Sequence, residues 1–199
     1  MRILLVMLLI ALLSLLGGCM MPNQEEQARA NEAKLVKEGY VHPEPGDSAP
    51  PIRSVDQDGN AFALEQALER GPVLLYFYPA NYTPNTTSHL RQLSKVRREI
   101  EEAGLGIGVY ALNQADATET KAYLQSEELS LPVLYDPDLT ISELYGCASS
   151  SGETLMQERS VVGINPDGSI AFFDRRFFHK PLSLKRLQDK DHFNMVQEQ

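Results

Sequence analysis

Val73-Leu74-Leu75-Tyr76-Phe77-Tyr78-Pro79-Ala80-Asn81-Tyr82-Thr83-Pro84-Asn85-Thr86-Thr87 is the stretch that decides how this chain folds. Six apolar residues in a row, introduced by Gly71-Pro72, read as a central strand buried on both faces. Two prolines then break the extended run, and Asn85 or Thr86 can cap a following helix. Leu90, Leu93, Val96, Arg97 and Ile100 recur at roughly helical spacing, which carries that helix to about Ala103, where Gly104 closes it.

Working outward, the same alternation continues. Ile107 to Leu112 reads as a second strand, Ala117 to Glu127 as a helix, and Val133-Leu134-Tyr135 as a short strand before the turn Asp136-Pro137-Asp138. Leu139 to Tyr145 is a short helix. Ser160 to Ile164 and Ile170 to Phe173 flank Asn165-Pro166-Asp167-Gly168, a strong hairpin turn, and Ser183 to Lys190 is a final helix. Strands alternating with helices and ending in a hairpin fit an α/β protein built as a three-layer sandwich. Phe172, Phe173, Phe177 and Phe178 are expected in the sheet and core around Arg175-Arg176, with a docking surface as the alternative.

The loop at the end of the first strand resembles the peroxiredoxin signature, in which a strand runs into Pro-x-x-x-Thr-x-x-Cys at a helix start. Pro79 and Thr83 match, and the peroxide-attacking cysteine of that signature falls on Thr86. Further pieces follow in order from Pro45 to Asp174. Pro45 to Pro50 is similar to the family's opening segment, and a short hairpin is expected around Asp56 to Asn60. Leu131 to Pro137 is similar to the stretch before the family's Tyr-Gly pair, here Tyr145-Gly146. Glu158 to Gly168 resembles the strand bearing its catalytic arginine, here Arg159. The nearest subgroup is the bacterioferritin-comigratory type of the wider alkyl hydroperoxide reductase/thiol-specific antioxidant superfamily. The resemblance implies a thioredoxin-like α/β/α sandwich with peroxiredoxin elaborations and, for the family, thiol-dependent peroxidase chemistry.

The departures bear on that chemistry. The subgroup often places a resolving cysteine five residues after the peroxidatic one, and here that position is Arg91. His89 stands where relatives commonly carry Gln or Glu. Cys147 directly follows the Tyr-Gly pair. Peroxide reduction by this route needs a thiolate at a helix N-terminus, activated by backbone N–H groups and a nearby cation. The thiolate becomes a sulfenic acid that a second thiol resolves, and a threonine hydroxyl supplies neither step.

Several readings stay open. Thr86 caps or opens its helix, with Thr83 and Asn85 shaping the turn, or it is a nucleophile with His89 one helical turn later as base. Arg159 either retains a cup for a small peroxide-like or anionic ligand with Thr83, or makes local salt bridges. The expected function is a binding or structural module without ordinary cysteine-dependent peroxidase activity. The alternative is an antioxidant thiol peroxidase that uses Cys147 and an external thiol donor.

The amino terminus sets the expected location. Arg2 precedes an apolar run from Ile3 to Leu16 that ends in Leu16-Gly17-Gly18-Cys19, the layout of a secretory signal and too short for an ordinary transmembrane helix. Leu-Gly-Gly-Cys resembles the bacterial lipobox, which implies signal cleavage after residue 18 and lipidation of Cys19. Met20 in place of aspartate then favours the outer membrane, with the domain facing the periplasm. Residues 19–45 read as a tether broken at His42-Pro43-Glu44-Pro45-Gly46, with at most a marginal helix over Gln24 to Lys37, and residues 46–199 as the globular domain.

The chain has 2 cysteines, so acylation of Cys19 leaves Cys147 as the one thiol and excludes an intramolecular disulfide. The net charge of −9 becomes −10 without Arg2, with 17 basic against 27 acidic residues, which argues against a nucleic-acid partner. His42, His179 and His192 sit in tether or tail-like contexts, and no Cys/His spacing suggests zinc. No cofactor or metal is expected. A homodimer or an envelope protein partner is.

Overall fold

The computed structural model describes residues 43–151, 154–188 and 193. The signal segment, Cys19, the tether helix, His42 and His192 lie outside the described residues.

Strand β3 (Val73–Phe77) is the axis of the molecule, and all five of its residues are buried. Its side chains alternate between two cores. Leu74, Tyr76 and the adjoining Tyr78 enter one, while Val73, Leu75 and Phe77 enter the other, as the period of two along a strand requires. Five strands form the sheet in the order β5 (Val133–Tyr135), β4 (Gly108–Asn113), β3, β8 (Ser160–Ile164) and β9 (Ile170–Asp174). β3, β4 and β5 run parallel, whereas β8 is antiparallel to both β3 and β9.

The first core is roofed by α2 (Pro84–Glu102), α3 (Ala117–Ser126) and the short α5 (Leu184–Leu187), through Leu90, Leu93, Val96, Ile100, Tyr123, Leu124 and Leu187. The second is closed by α1 (Leu64–Leu68) and α4 (Thr140–Leu144), with Phe62, Tyr145 and Cys147. Helices on both faces of a mixed sheet make the expected α/β/α sandwich. The small hairpin β1 (Arg53–Val55) and β2 (Ala61–Ala63) surrounds Asp56 to Asn60 as anticipated. No helix among the described residues is long and apolar enough to cross a membrane.

Two loops feed β3 and β4 side by side, and only glycine fits there. Gly71 has φ +140°, and a Cβ on it would stand 2.5 Å from the Gly106 carbonyl oxygen. Gly106 has φ +67° and would meet the Arg70 carbonyl in the same way.

The structure departs from the sequence expectations in specific places. α2 begins at Pro84 and its cap is Thr83, not Asn85 or Thr86. Proline has no N–H to lose in a first turn and its fixed φ suits that position, so the cap falls one residue before it. β4 runs one residue later than the apolar run, α3 and α4 are slightly shorter than their expected spans, and α5 covers Leu184–Leu187, with residues 189 and 190 of its expected span outside the described residues. α1 and the hairpin β6 (Ala148–Ser151) with β7 (Thr154–Gln157) had no sequence counterpart. A helix of five residues shows little periodicity, and a run of serines shows no apolar alternation.

Candidate functional site

The loop from Pro79 to Thr83 is held in place before it reaches the helix. Asn81 does most of this work from a buried position. Its Oδ1 accepts from the Tyr78 hydroxyl and from Asn113 Nδ2, both at 3.0 Å. Its Nδ2 donates to Glu119 Oε1 at 3.1 Å and more weakly to Thr120 Oγ1 at 3.4 Å. Half-buried Pro79 ends the strand, and Tyr82 takes a left-handed backbone conformation, φ +57°, that turns the chain into α2. The exposed Tyr82 ring leans on Tyr123, centroids 4.7 Å apart. Asparagine in a turn gave no cue to this role, and the cross-links it makes to β4 and α3 are visible only in the fold.

Thr83 and Thr86 meet at the first turn of α2. Thr83 Oγ1 accepts from the Thr86 backbone N–H at 3.3 Å and donates to Thr86 Oγ1 at 2.8 Å. Thr86 is fully buried. Arg159, on the segment leading into β8, donates from Nη2 to the same Thr83 oxygen at 3.4 Å. The sequence-derived trio Thr83, Thr86 and Arg159 is therefore brought together across 76 residues of chain. The salt bridges considered for Arg159 are not formed among the described residues, and its Nε is shut off from solvent without an acceptor.

The floor of the site was not anticipated. Tyr76 comes up from β3 beneath Arg159, and its hydroxyl shares a hydrogen bond with His89 Nδ1 at 2.8 Å. Burial pushes the Tyr76 phenol well above its ordinary range, although Arg159 and Thr86 lie near enough to pull it back in part. Partial burial, and then the charge of Arg159, lower His89 to about 4, so its imidazole is neutral at pH 7. The His89 ring stacks on Phe178 with centroids 4.0 Å apart and planes 9° from parallel, and Phe178 meets Tyr76 edge-on at 5.1 Å. The signal for Tyr76 was its place in β3 two residues before Tyr78. The contribution of Phe178, more than ninety residues further on, could not be read that way.

Tyr76, His89, Arg159 and Phe178 line an open cleft of about 320 Å³ together with Asn85, Val161, Asp174, Arg175, Phe177 and His179, while Thr86 lies buried behind it. The aromatic residues expected in sheet and core thus divide: Phe177 and Phe178 wall the cleft, while Phe172 and Phe173 stay on the sheet. A cleft of similar size, lined by Asp56, Asp58, Arg97 and Lys121, opens elsewhere on the surface. Its best-placed charges are satisfied by one another, with Lys121 Nζ 2.8 Å from Asp58 Oδ1, and it holds none of the motif residues.

The nucleophile reading of Thr86 finds little support in this arrangement. His89 Nδ1 is engaged by Tyr76, and among the described residues no hydrogen bond joins His89 to Thr86 and no carboxylate orients the imidazole. Arg91 is at the surface, paired with Glu127 at 2.6 Å. Cys147 belongs to the core on the opposite side of the sheet, fully buried, its thiol donating to the Tyr145 carbonyl at 3.4 Å. Burial pushes that thiol far up, away from the thiolate form that reacts with peroxides. Among the described residues no group of His, Cys, Asp and Glu side chains is arranged to hold a metal ion.

Residues 45–173 match the model of the AhpC/TSA family. A Mycobacterium tuberculosis protein described as a peroxiredoxin is 32% identical over 130 residues, covering 63% of this chain and 81% of that protein. The chloroplastic peroxiredoxin Q of Oryza sativa subsp. japonica is 27% identical over 147 residues, covering 72% of this chain and 66% of the rice protein. Among solved structures, the peroxidoxin BcpB of Mycobacterium tuberculosis superposes with a TM-score of 0.62 at 22% identity, over 75% of this chain and 94% of that one. That last likeness is one of fold.

Proposed function

The chain belongs to the AhpC/TSA family, the peroxiredoxins, and on that premise we propose that it has kept the family's pocket while losing the family's cysteine chemistry. The observation that carries the reading is the residue at the head of α2. Aligned on Pro79 and Thr83, Thr86 takes the place of the peroxide-attacking cysteine. Its hydroxyl is held by Thr83 beside Arg159. A threonine hydroxyl there has neither the acidity of a thiol nor a sulfenic acid state to pass on.

The protein then acts as a binding or structural module of the cell envelope, anchored through acyl chains on Cys19. Residues 1–18 serve as signal, 19–45 as tether and 46–199 as the domain, with the outer membrane as destination and a second copy or an envelope protein as partner. The Leu-Gly-Gly-Cys segment supports the anchor. Each acyl methylene buried in a bilayer contributes about 0.8 kcal/mol, so several chains hold a domain firmly. Burial of Cys147 weighs against the other reading, a thiol peroxidase working through that residue.

Two experiments test this. Peroxide consumption is measured for the full chain in detergent and for Cys147→Ser, with a thiol donor present. Robust turnover that vanishes in Cys147→Ser would overturn the proposal in favour of the thiol peroxidase. Mass spectrometry of the mature amino terminus tests the anchor independently, and an unmodified Cys19 would end that part of it.

A further inference from the structure

We propose that the basic segment from Arg175 to Arg186 is a second membrane contact, through which the domain rests on the anionic phospholipid headgroups of the bilayer that holds its anchor. The inference rests on the reading of Cys19 given above, and its test keeps the two apart.

Charge is unevenly placed along the chain. Residues 43–174 hold 8 basic and 20 acidic side chains, a net −12. Residues 175–188 hold Arg175, Arg176, Lys180, Lys185 and Arg186, with His179 and no acid; Asp174 before the segment and Asp189 and Asp191 after it mark its limits. Arg175, Arg176, His179, Lys180 and Lys185 are exposed. Glu158 takes Arg175 at 3.2 Å, but among the described residues no carboxylate pairs with the side chains of Arg176, Lys180, Lys185 or Arg186. The other described lysines differ, Lys95 being paired with Glu99 at 3.8 Å and Lys121 with Asp58 at 2.8 Å.

The segment is a fixed platform. Phe177, Leu182 and Leu187 are buried in the core that α2 roofs. The Leu182 N–H donates to Gln92 Oε1 on α2 at 2.9 Å, and Ser183 Oγ accepts from the Arg186 N–H at 3.3 Å. The Arg186 guanidinium lies 4.1 Å from the Phe177 ring centroid and donates to the Lys180 carbonyl at 2.8 Å. With its large apolar residues turned inward, the segment offers charge to a headgroup layer and nothing to insert beneath it.

Its position suits the anchor. The Gly46 N–H donates to the Ile170 carbonyl at 2.9 Å, and the Ile170 N–H to the Asp47 carbonyl at 2.8 Å. The chain arriving from Cys19 therefore joins the start of β9, whose five residues lead to the basic segment about 17 Å further along the same edge of the sheet. Residues 19–45 span at most about 90–100 Å in any conformation, which keeps the domain at a high local concentration over the surface. Screening acts within about 8 Å, short against a domain roughly 40 Å across. The acidic remainder therefore does not cancel the attraction when this edge faces the bilayer, and it opposes the other orientations.

The full chain is reconstituted into vesicles of phosphatidylcholine, alone or mixed with phosphatidylglycerol, and its lysines are acylated with an uncharged amine reagent and read by peptide mass spectrometry. Each Lys or Arg at an anionic surface changes the partition by about fivefold. Lys180 and Lys185 should react at least about fivefold more slowly on the phosphatidylglycerol vesicles. Lys121, bonded to the β1–β2 hairpin at the other edge of the sheet, should not change, and molar salt should abolish the difference. Arg176→Gln, an exposed substitution, should weaken the protection of both lysines by about fivefold. Equal rates on the two kinds of vesicle would overturn the inference. So would slow rates already in detergent, which would put a second copy or another protein over the segment. Flotation with phosphatidylcholine alone reports the anchor, and the difference between the vesicles reports the segment, so each can fail without the other.

Discussion

Replacing Asn81 by alanine should destabilise the fold by about 2–6 kcal/mol, because it strands two buried donors at once. The amide oxygen of Asn81 accepts from the Tyr78 hydroxyl and from Asn113 Nδ2, each at 3.0 Å. Tyr78 is 0% and Asn113 1% exposed, so neither donor turns readily to solvent when that oxygen is removed. A buried polar group left without its partner costs roughly 1–3 kcal/mol. Two such groups set the range. The bonds from Asn81 Nδ2 add little, since Glu119 is exposed and water replaces the lost donor. Urea unfolding of the full chain, followed by far-ultraviolet circular dichroism because the chain has no tryptophan, measures the loss. Tyr78→Phe removes one donor by itself. The double variant should therefore cost less than the two single losses together, by about 1 kcal/mol or more. A loss below about 0.5 kcal/mol in Asn81→Ala, or strict additivity in the pair, would refute the view that Asn81 staples this loop.

His89 gives a pH signature. Its imidazole is held near pKa 4 in the folded protein against 6.5 when unfolded, so between those values the unfolded chain binds more protons. Stability should fall as pH drops from about 6.5 towards 4, and His89→Gln should lose less over that window in denaturation midpoints. Gly71→Ala forces a Cβ to 2.5 Å from the Gly106 carbonyl oxygen at a backbone angle of φ +140°. It should cost about 1–3 kcal/mol or more by the same urea assay. Cys147 should react with a soluble maleimide at least ~100-fold more slowly than a free thiol under native conditions and rapidly in denaturant. Fast native labelling would show that its burial is not maintained.

How much of this was legible in the sequence differs by element. β3 could be read because an unbroken apolar run between Gly71-Pro72 and Pro79 has few other uses, and the β8–β9 hairpin because Asn165 to Gly168 demands a turn. Pro79, Thr83 and Arg159 were found through a motif, and the fold brought Thr83 and Arg159 together as that motif implied. The cap of α2 was misplaced because asparagine and threonine at three successive turn positions all look competent, and only the seating of Pro84 selects Thr83. What periodicity could not show were contacts between distant segments. Tyr76 with His89 and Phe178, and Asn81 with Asn113 and Glu119, depend on which elements the sheet order sets side by side.

The central claim is that an intact pocket lacks only its sulfur, and Thr86→Cys tests it most directly. The substitution exchanges one side chain of similar size at a position already furnished with the Thr83 bond and Arg159. Peroxide consumption with an external thiol donor should be at background for the native chain and clearly above it for the variant. Removing Arg159 from that variant should reduce it again. Turnover by the native chain, or a correctly folded Thr86→Cys chain no more active than the native one, would contradict the account.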